Sequence, residues 1–154
     1  MAGHSITVSG TVAARPERVW RVLTDLDHAT TTIPSITAVE RLTEGPYDVG
    51  TRWRETRTML GRTETQELEV AEAVPEVRTV VSSVAEGVFY TTTMELNPQG
   101  GGTLLTITFA ADQPGASRLQ RVLWTVMGPL GAAFTRRMLR RELAEIRIAA
   151  TNAD

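Results

Sequence analysis

The spacing of apolar residues changes once along the chain, and this change constrains the fold more than any other feature. Before Gln113, apolar and polar residues alternate in short runs that are separated by turns rich in glycine and proline. After Gly115, apolar residues recur every three to four positions. A period of two is typical of a strand with one buried face, and a period of 3.6 is typical of an amphipathic helix. The sequence therefore predicts an α+β fold whose strands precede a long last helix.

Seven runs have the strand pattern. They cover residues 4–12, 36–43, 50–60, 62–74, 77–84, 88–96 and 103–111. Short turns separate the last six runs, which predicts an antiparallel meander. Between the first two runs, Pro16 suits the first turn of a helix, and Val19, Val22 and Leu23 follow at helical spacing. The polar residues 28–33 predict a second, short helix before Pro34.

The last helix is predicted over residues 119–150. Gly128-Pro129 interrupts its apolar stripe, either as a kink or as a new helix start. Beyond this point the stripe continues through Phe134, Met138, Leu143 and Ile146. Arginines occupy much of the opposite face, where we expect them to keep the helix soluble.

Two segments carry a family resemblance. Residues 12–25 read VAARPERVWRVLTD, and residues 49–62 read VGTRWRETRTMLGR. Together with the closing helix, they resemble the START-like SRPBCC superfamily, in particular its polyketide cyclase/dehydrase branch. The resemblance implies a single helix-grip domain over residues 1–154. In this fold a curved antiparallel sheet of about seven strands wraps around a long C-terminal helix, two short helices follow strand 1, and an apolar cavity lies between sheet and helix.

The composition excludes several kinds of chemistry. The chain has no cysteine, which excludes thiolate catalysis, disulfides and cysteine-bound metals. All sixteen basic residues are arginines, so there is no lysine for a Schiff base or a Walker-type phosphate loop. The two histidines, His4 and His28, are too far apart in sequence to form a metal-binding pair. We therefore expect neither a metal nor a cofactor.

Charge and hydropathy give expectations about location and partners. Residues 118–154 carry seven arginines and three acids, a charge of +4, but the whole chain has a net charge of −2. Nucleic-acid binding would want more positive charge and aromatic platforms, so no nucleic-acid partner is expected. No apolar run approaches the ~20 residues of a membrane span, and no signal peptide is recognised at Met1. The expectation is a cytoplasmic protein, and its lysine-free composition suggests a GC-rich bacterial genome.

The strand over residues 50–60 holds the first candidates for chemistry. Trp53, Glu55, Arg57 and Met59 share one face, and the two apolar members indicate that this face points inward. Arg57 could then hold a ketone, enol or carboxylate oxygen while Glu55 moves a proton. The alternatives are a structural salt bridge, or a row of surface side chains. Tyr90, which could donate its hydroxyl to a ligand oxygen, is the third catalytic candidate, although a core or rim position is the commoner role.

The predicted ligand-binding wall consists of apolar and small side chains on several elements. Its members are Trp53, Met59, Thr92, Met94, Phe109, Met127 and Phe134. Methionine suits adaptable pockets, although such stripes are primarily core. His28 could act as a base at the cavity mouth, but a surface position is favoured. Glu64 and Gln66 share a face that could point inward, although solvated strand ends are favoured for them.

The resemblance and these residues together predict an apolar or polyketide-like small molecule in a central cavity. Cofactor-free cyclisation or dehydration is one hypothesis, because positioning and proton transfer suffice for it. The alternatives are a non-catalytic carrier of lipids or other hydrophobic ligands, and a chaperone-type interaction domain. A cyclase cavity should hold at least two convergent polar groups, and a carrier cavity should be larger and almost wholly apolar. An interaction domain should have a small cavity and an exposed apolar patch.

Overall fold

The computed structural model describes residues 3–85, 87–112 and 129–152, with side chains from residue 5 to residue 152 except for 86 and 113–130. Its elements are β1 (Gly3–Val12), α1 (Pro16–Thr24), a 3₁₀ turn (Leu26–His28), α2 (Ala29–Thr32), β2 (Ile36–Arg41), β3 (Arg52–Met59), β4 (Arg62–Val74), β5 (Arg78–Ala85), β6 (Val88–Gln99), β7 (Gly102–Asp112) and α3 (Pro129–Asn152). The predicted order of a strand, two short helices, six strands and a long helix is confirmed. The first part of the predicted last helix, residues 119–128, lies outside the described residues.

All seven strands form one antiparallel sheet. Its order is β1-β7-β6-β5-β4-β3-β2, so each strand from β2 to β7 pairs with its neighbour in sequence, and β1 pairs with β7. The register shifts between Ile36 and Ala38 on β2, and between Val70 and Glu72 on β4. Such bulges increase the local twist and bend of a sheet. The predicted antiparallel meander is therefore confirmed, with β1 and β2 as its edges.

The core lies between α3 and the strands β1, β6 and β7. We call the sheet face that packs on α3 the inner face. Its fully buried side chains include Leu105 and Ile107, and α3 contributes Leu143 and Ile146 to the same cluster. Burial of such a side chain contributes roughly 1.5–3 kcal/mol, so this cluster stabilises the packing of the helix on the sheet.

A glycine in β1 sets the approach of the helix. A Cβ atom at Gly10 would lie 2.6 Å from Nη2 of Arg147 and 2.9 Å from Cδ2 of Leu143. Both atoms are ends of side chains on α3, so a larger residue at position 10 would have to displace them, whereas glycine leaves them in place.

Two polar contacts fix the rotation of α3 about its axis. The carboxylate of Glu145 is buried and accepts hydrogen bonds from Oγ of Ser35 at 2.6 Å and from its backbone nitrogen at 3.3 Å. Two residues further along the helix, Nε of Arg147 donates to the carbonyl oxygen of Thr11 at 2.9 Å. These contacts determine which α3 side chains face the neighbouring strands β3 and β4.

Candidate functional site

The alternation of β3 directs four side chains to the inner face. Trp53 and Met59 are buried, with 4% and 5% of their surface exposed, and Glu55 and Arg57 lie between them on the same face. The arginines at the intervening positions are exposed and pair with glutamates of neighbouring strands. The structure therefore places both charged candidates of this strand on the side of α3.

A small recess opens between β3, β4 and α3. Its volume is about 80 Å³. It is lined by Glu55, Arg57 and Met59 from β3, Arg62, Glu64 and Gln66 from β4, and Phe134 and Met138 from α3. The recess thus joins an apolar wall to a row of polar and charged groups.

Two polar residues of the recess, Glu55 and Arg57, form an ion cluster with Glu142, which lies behind Arg57 and outside the lining; we call this cluster the Arg57 triad. Oε2 of Glu55 lies 3.1 Å from Nε and 2.9 Å from Nη2 of Arg57, and accepts a hydrogen bond from Nε. Oε2 of Glu142, from α3, lies 3.3 Å from Nη1. The side chains are largely shielded, with 12%, 23% and 16% exposed for Glu55, Arg57 and Glu142. Each guanidinium nitrogen therefore faces a carboxylate.

The triad keeps Arg57 charged. Burial alone would lower the pKa of its guanidinium, but the negative charges of Glu142 and Glu55 and their hydrogen bonds outweigh burial. The net effect raises the pKa of Arg57 above its ordinary value. Arg57 therefore stays a cation that can donate hydrogen bonds to a ligand oxygen, but it cannot act as a general acid.

Trp53 orients the second oxygen of Glu55. Its indole Nε1 donates to Oε1 of Glu55 at 3.1 Å. The indole packs in a buried cluster with Leu26 and Val70 and lies 6.2 Å, between ring centres, from Tyr47. Trp53 lies outside the lining of the recess, so its contact with the site is made through Glu55.

The β3–β4 hairpin and α3 meet at the edge of the recess. Cζ of Arg62 lies 5.4 Å from the ring centre of Phe134, a distance at which a cation is attracted to an aromatic face. Nη2 of Arg62 lies 3.8 Å from Oε1 of Glu64, a looser ion pair between two exposed side chains. Glu64 and Gln66 are exposed, as predicted for strand ends, and they nevertheless line the recess.

The remaining candidates form a second region of the inner face. The rings of Tyr90 and Phe109 stack with centres 5.7 Å apart and planes inclined by 21°. Thr92 lies opposite Phe109 in the register of β6 and β7, and Met94 packs against the main core cluster. All four are half-buried and lie outside the lining of the recess. Met127 lies outside the described residues.

Sequence reasoning missed Glu142 and Arg62. Phe134, Met138 and Glu142 are spaced four residues apart, so an acid continues the apolar stripe of α3. An acid within an apolar stripe indicates that its side chain has a buried charged partner. The many arginines in the same helix obscured this signal. Arg62 had no signal of its own, because its contact with Phe134 joins residues far apart in sequence.

His28 lies on the surface at the end of the 3₁₀ turn. Its Nδ1 is 2.8 Å from Oδ2 of Asp25, and the hydrogen bond and charge of Asp25 raise the pKa of the imidazole above 6.5. No group of three or more histidine, aspartate or glutamate side chains within residues 3–85, 87–112 and 129–152 could hold a metal ion. Among the same residues, no helix is long and apolar enough to cross a membrane.

A seven-stranded antiparallel sheet packed on a long C-terminal helix, with two short helices after β1, defines the helix-grip class of proteins. Within this class the sequence is more specific. Residues 3–150 match the family described as "Polyketide cyclase / dehydrase and lipid transport", and the chain belongs to this family. The resemblance seen in the sequence is thereby confirmed.

Solved structures of several proteins share the fold. TTHA0849 from Thermus thermophilus is 18% identical, with a TM-score of 0.74, and the match covers 96% of this chain and 97% of that protein. Norcoclaurine synthase from Thalictrum flavum is 17% identical, with a TM-score of 0.73, over 99% and 96% of the two chains. The di-domain ARO/CYC StfQ from the steffimycin biosynthetic pathway is 16% identical, with a TM-score of 0.71, over 96% of this chain and 49% of that one. No curated protein sequence matches the chain.

Proposed function

We propose that the protein binds a small molecule that has an apolar body and an oxygen-bearing end, and that the recess receives the oxygen-bearing end. The apolar wall of Met59, Phe134 and Met138 suits a flat ring, and the floor of the recess presents charged groups. Membership of a family described by cyclisation, dehydration and lipid transport supports a ligand of this kind.

The Arg57 triad is the observation that carries this proposal. A shielded guanidinium has a large desolvation cost, which its two carboxylates offset. Nε donates to Glu55, and each terminal nitrogen lies within ion-pair distance of one carboxylate oxygen. Each terminal nitrogen carries two N–H groups, so one carboxylate contact leaves a second N–H on each for a ligand. A ketone or hydroxyl oxygen in the recess can accept such an N–H, which gives the ligand a defined orientation.

The size of the recess indicates how much of the ligand it holds. Pockets for whole drug-sized ligands measure about 300–1,000 Å³, well above the volume found here. The recess therefore suits one end of a molecule, and its two convergent polar groups favour an oriented ligand over a lipid held by apolar contacts alone. The convergent polar groups match the criterion for a cyclase and not that for a carrier, whereas the small volume is the one expected of an interaction domain.

Cofactor-free cyclisation or dehydration is a second candidate function. The carboxylates of Glu55 and Glu64 line the same recess as Arg57, so a proton acceptor and a cation lie around one space. In such a reaction a carboxylate takes a proton next to a ketone, and the guanidinium stabilises the enolate oxygen that forms. The name of the ARO/CYC relative supports a test of this chemistry.

Binding is tested by calorimetry with 2-naphthol as the probe. Phe134→Ala removes part of the apolar wall and should weaken binding at least tenfold, about 1.4 kcal/mol, whereas Ile148→Ala on the exposed side of the same helix should leave it unchanged. Absence of saturable binding, or equal effects of the two variants, would contradict the proposal.

Turnover is tested separately by incubating the protein with a linear poly-β-ketone thioester and analysing products by mass spectrometry. The wild-type protein should accelerate loss of water from the substrate, and Glu55→Gln should abolish the acceleration while 2-naphthol still binds. A wild-type rate equal to that in buffer would contradict the catalytic candidate and leave the binding proposal standing.

A further inference from the structure

Within the described part of the chain, Glu142 contacts the recess through Arg57 alone. It is carried by α3, it is absent from the lining of the recess, and its contact there is the ion pair with Nη1 of Arg57. Glu55 occupies the other two nitrogens of the same guanidinium. Arg57 is thus shared by two carboxylates, only one of which lies at the surface that a ligand would touch.

Among the described residues that line the recess or pair with Arg57, the charges do not balance. The Arg57 triad has two negative charges and one positive charge, so its net charge is −1. Arg62 and Glu64, at the edge, contribute one charge of each sign. A ligand end that enters therefore meets an arginine whose positive charge is already exceeded by its own partners.

We infer that Glu142 sets the charge selectivity of the recess, so that it favours a ligand ending in a neutral hydrogen-bond donor, a phenol or enol hydroxyl, over a ligand ending in a carboxylate. This inference rests on the proposed function, since it names the chemistry of the end that the recess receives. Glu142 is a positioning residue here, because it acts on the ligand through Arg57.

A hydroxyl group can both accept a hydrogen bond from the polar side chains of the recess and donate one to them. It accepts an N–H of Arg57 and donates its own hydrogen to a carboxylate oxygen of Glu55 or Glu64. Oε1 of Glu55 accepts the indole hydrogen of Trp53 and has a further lone pair for such a donor. A ligand carboxylate would be a third anion around one guanidinium, and it has no hydrogen to donate.

Three probes that share the naphthalene ring system separate the effect of a hydrogen-bond donor from the effect of a negative charge. 2-Naphthol has a donor and an acceptor, 2-methoxynaphthalene has only the acceptor, and 2-naphthoate carries a negative charge. By calorimetry at pH 7 and low salt, the wild-type protein should bind 2-naphthol about tenfold more tightly than 2-naphthoate, the scale of one charge-assisted hydrogen bond, and more tightly than the ether.

Glu142→Gln removes one negative charge and should reverse the preference. Binding of 2-naphthoate should tighten more than tenfold, while binding of 2-naphthol should change less than about threefold. Glu40→Gln is the matched control, since it makes the same charge change at an exposed pair with Arg54, and it should alter neither affinity. Glu142→Asp retains the charge and should retain the wild-type selectivity.

The outcomes distinguish a role of Glu142 in ligand selectivity from a role in the stability of the fold. If Glu142 only stabilised the fold, Glu142→Gln would lower the unfolding midpoint and weaken both ligands equally, and the inference would be wrong. Wild-type binding of 2-naphthoate as tight as that of 2-naphthol would also overturn it, and the proposed function would survive. Failure of all three probes to bind would overturn the inference and the proposed function together.

Discussion

Replacing Arg57 by leucine tests whether the Arg57 triad is as shielded as its geometry indicates. The substitution leaves Glu55 and Glu142 facing each other without a cation, at positions only 12% and 16% exposed. Two like charges ~6 Å apart at an effective dielectric constant near 20 repel by about 3 kcal/mol. Removing one partner of a fully buried ion pair costs about 3–5 kcal/mol, so partial exposure gives an expected loss of about 2–4 kcal/mol in the free energy of unfolding at pH 7.

Urea unfolding followed by circular dichroism measures this loss. Arg54→Leu, which breaks an exposed pair with Glu40 on the opposite face of β3, is the control and should cost less than about 1 kcal/mol. The double variant with Arg57→Leu and Glu142→Gln should recover at least ~1 kcal/mol, because one of the two facing charges is gone.

Equal losses for Arg57→Leu and Arg54→Leu would refute this reasoning, since the triad would then be as well solvated as an exposed pair. A double variant less stable than Arg57→Leu would refute it too, because it would show that Glu142 stabilises the fold without Arg57. The free energies of unfolding of Arg57→Leu and of its control Arg54→Leu must be known before any binding defect of Arg57→Leu is interpreted as loss of a ligand contact.

Two further predictions concern the packing of α3 and the surface histidine. Gly10→Ala should destabilise the fold by about 1 kcal/mol in urea unfolding because its Cβ would displace the side-chain ends of Arg147 and Leu143, whereas Ser9→Ala on the opposite face should change stability by less than about 0.5 kcal/mol; similar effects of both would contradict the close approach. The raised pKa of His28 means that its pair with Asp25 stabilises the fold below pH 6.5, and that this contribution is lost as pH rises through the pKa of the folded state. Asp25→Asn should return the pKa of His28, measured by NMR titration of the imidazole, toward 6.5, and an unchanged value would assign the shift to another cause.

The local sequence predicts the elements well because each run repeats its own period. Alternation in residues 50–60 correctly separates the inner and outer faces of β3, since successive side chains of any strand point to opposite sides. Pro16 marks the first residue of α1 for an equally local reason. The position of the register shift in β4 could not be predicted, because nothing in the local pattern fixes where an extra residue will be accommodated.

The candidate site shows where such local reasoning ends. Glu55, Arg57, Met59 and Phe134 were predicted from their patterns, and all four line the recess. Tyr90 and Phe109 also lie on the inner face, but the recess forms on other strands. Distance across a sheet depends on strand order, which the alternation of a single strand does not contain.

The elements, the faces of the strands and the family can be read from the chain, because they follow from short-range periodicity and from segments that a family shares. The contact by which Glu142 completes the charge environment of Arg57 requires the folded structure, since the two residues are 85 positions apart and meet through the packing of α3 on the sheet. Gly10, which leaves the side chains of Leu143 and Arg147 in place, and the buried bonds between Ser35 and Glu145 both favour that packing. The charge that the described residues place around Arg57 is a property of this three-dimensional arrangement.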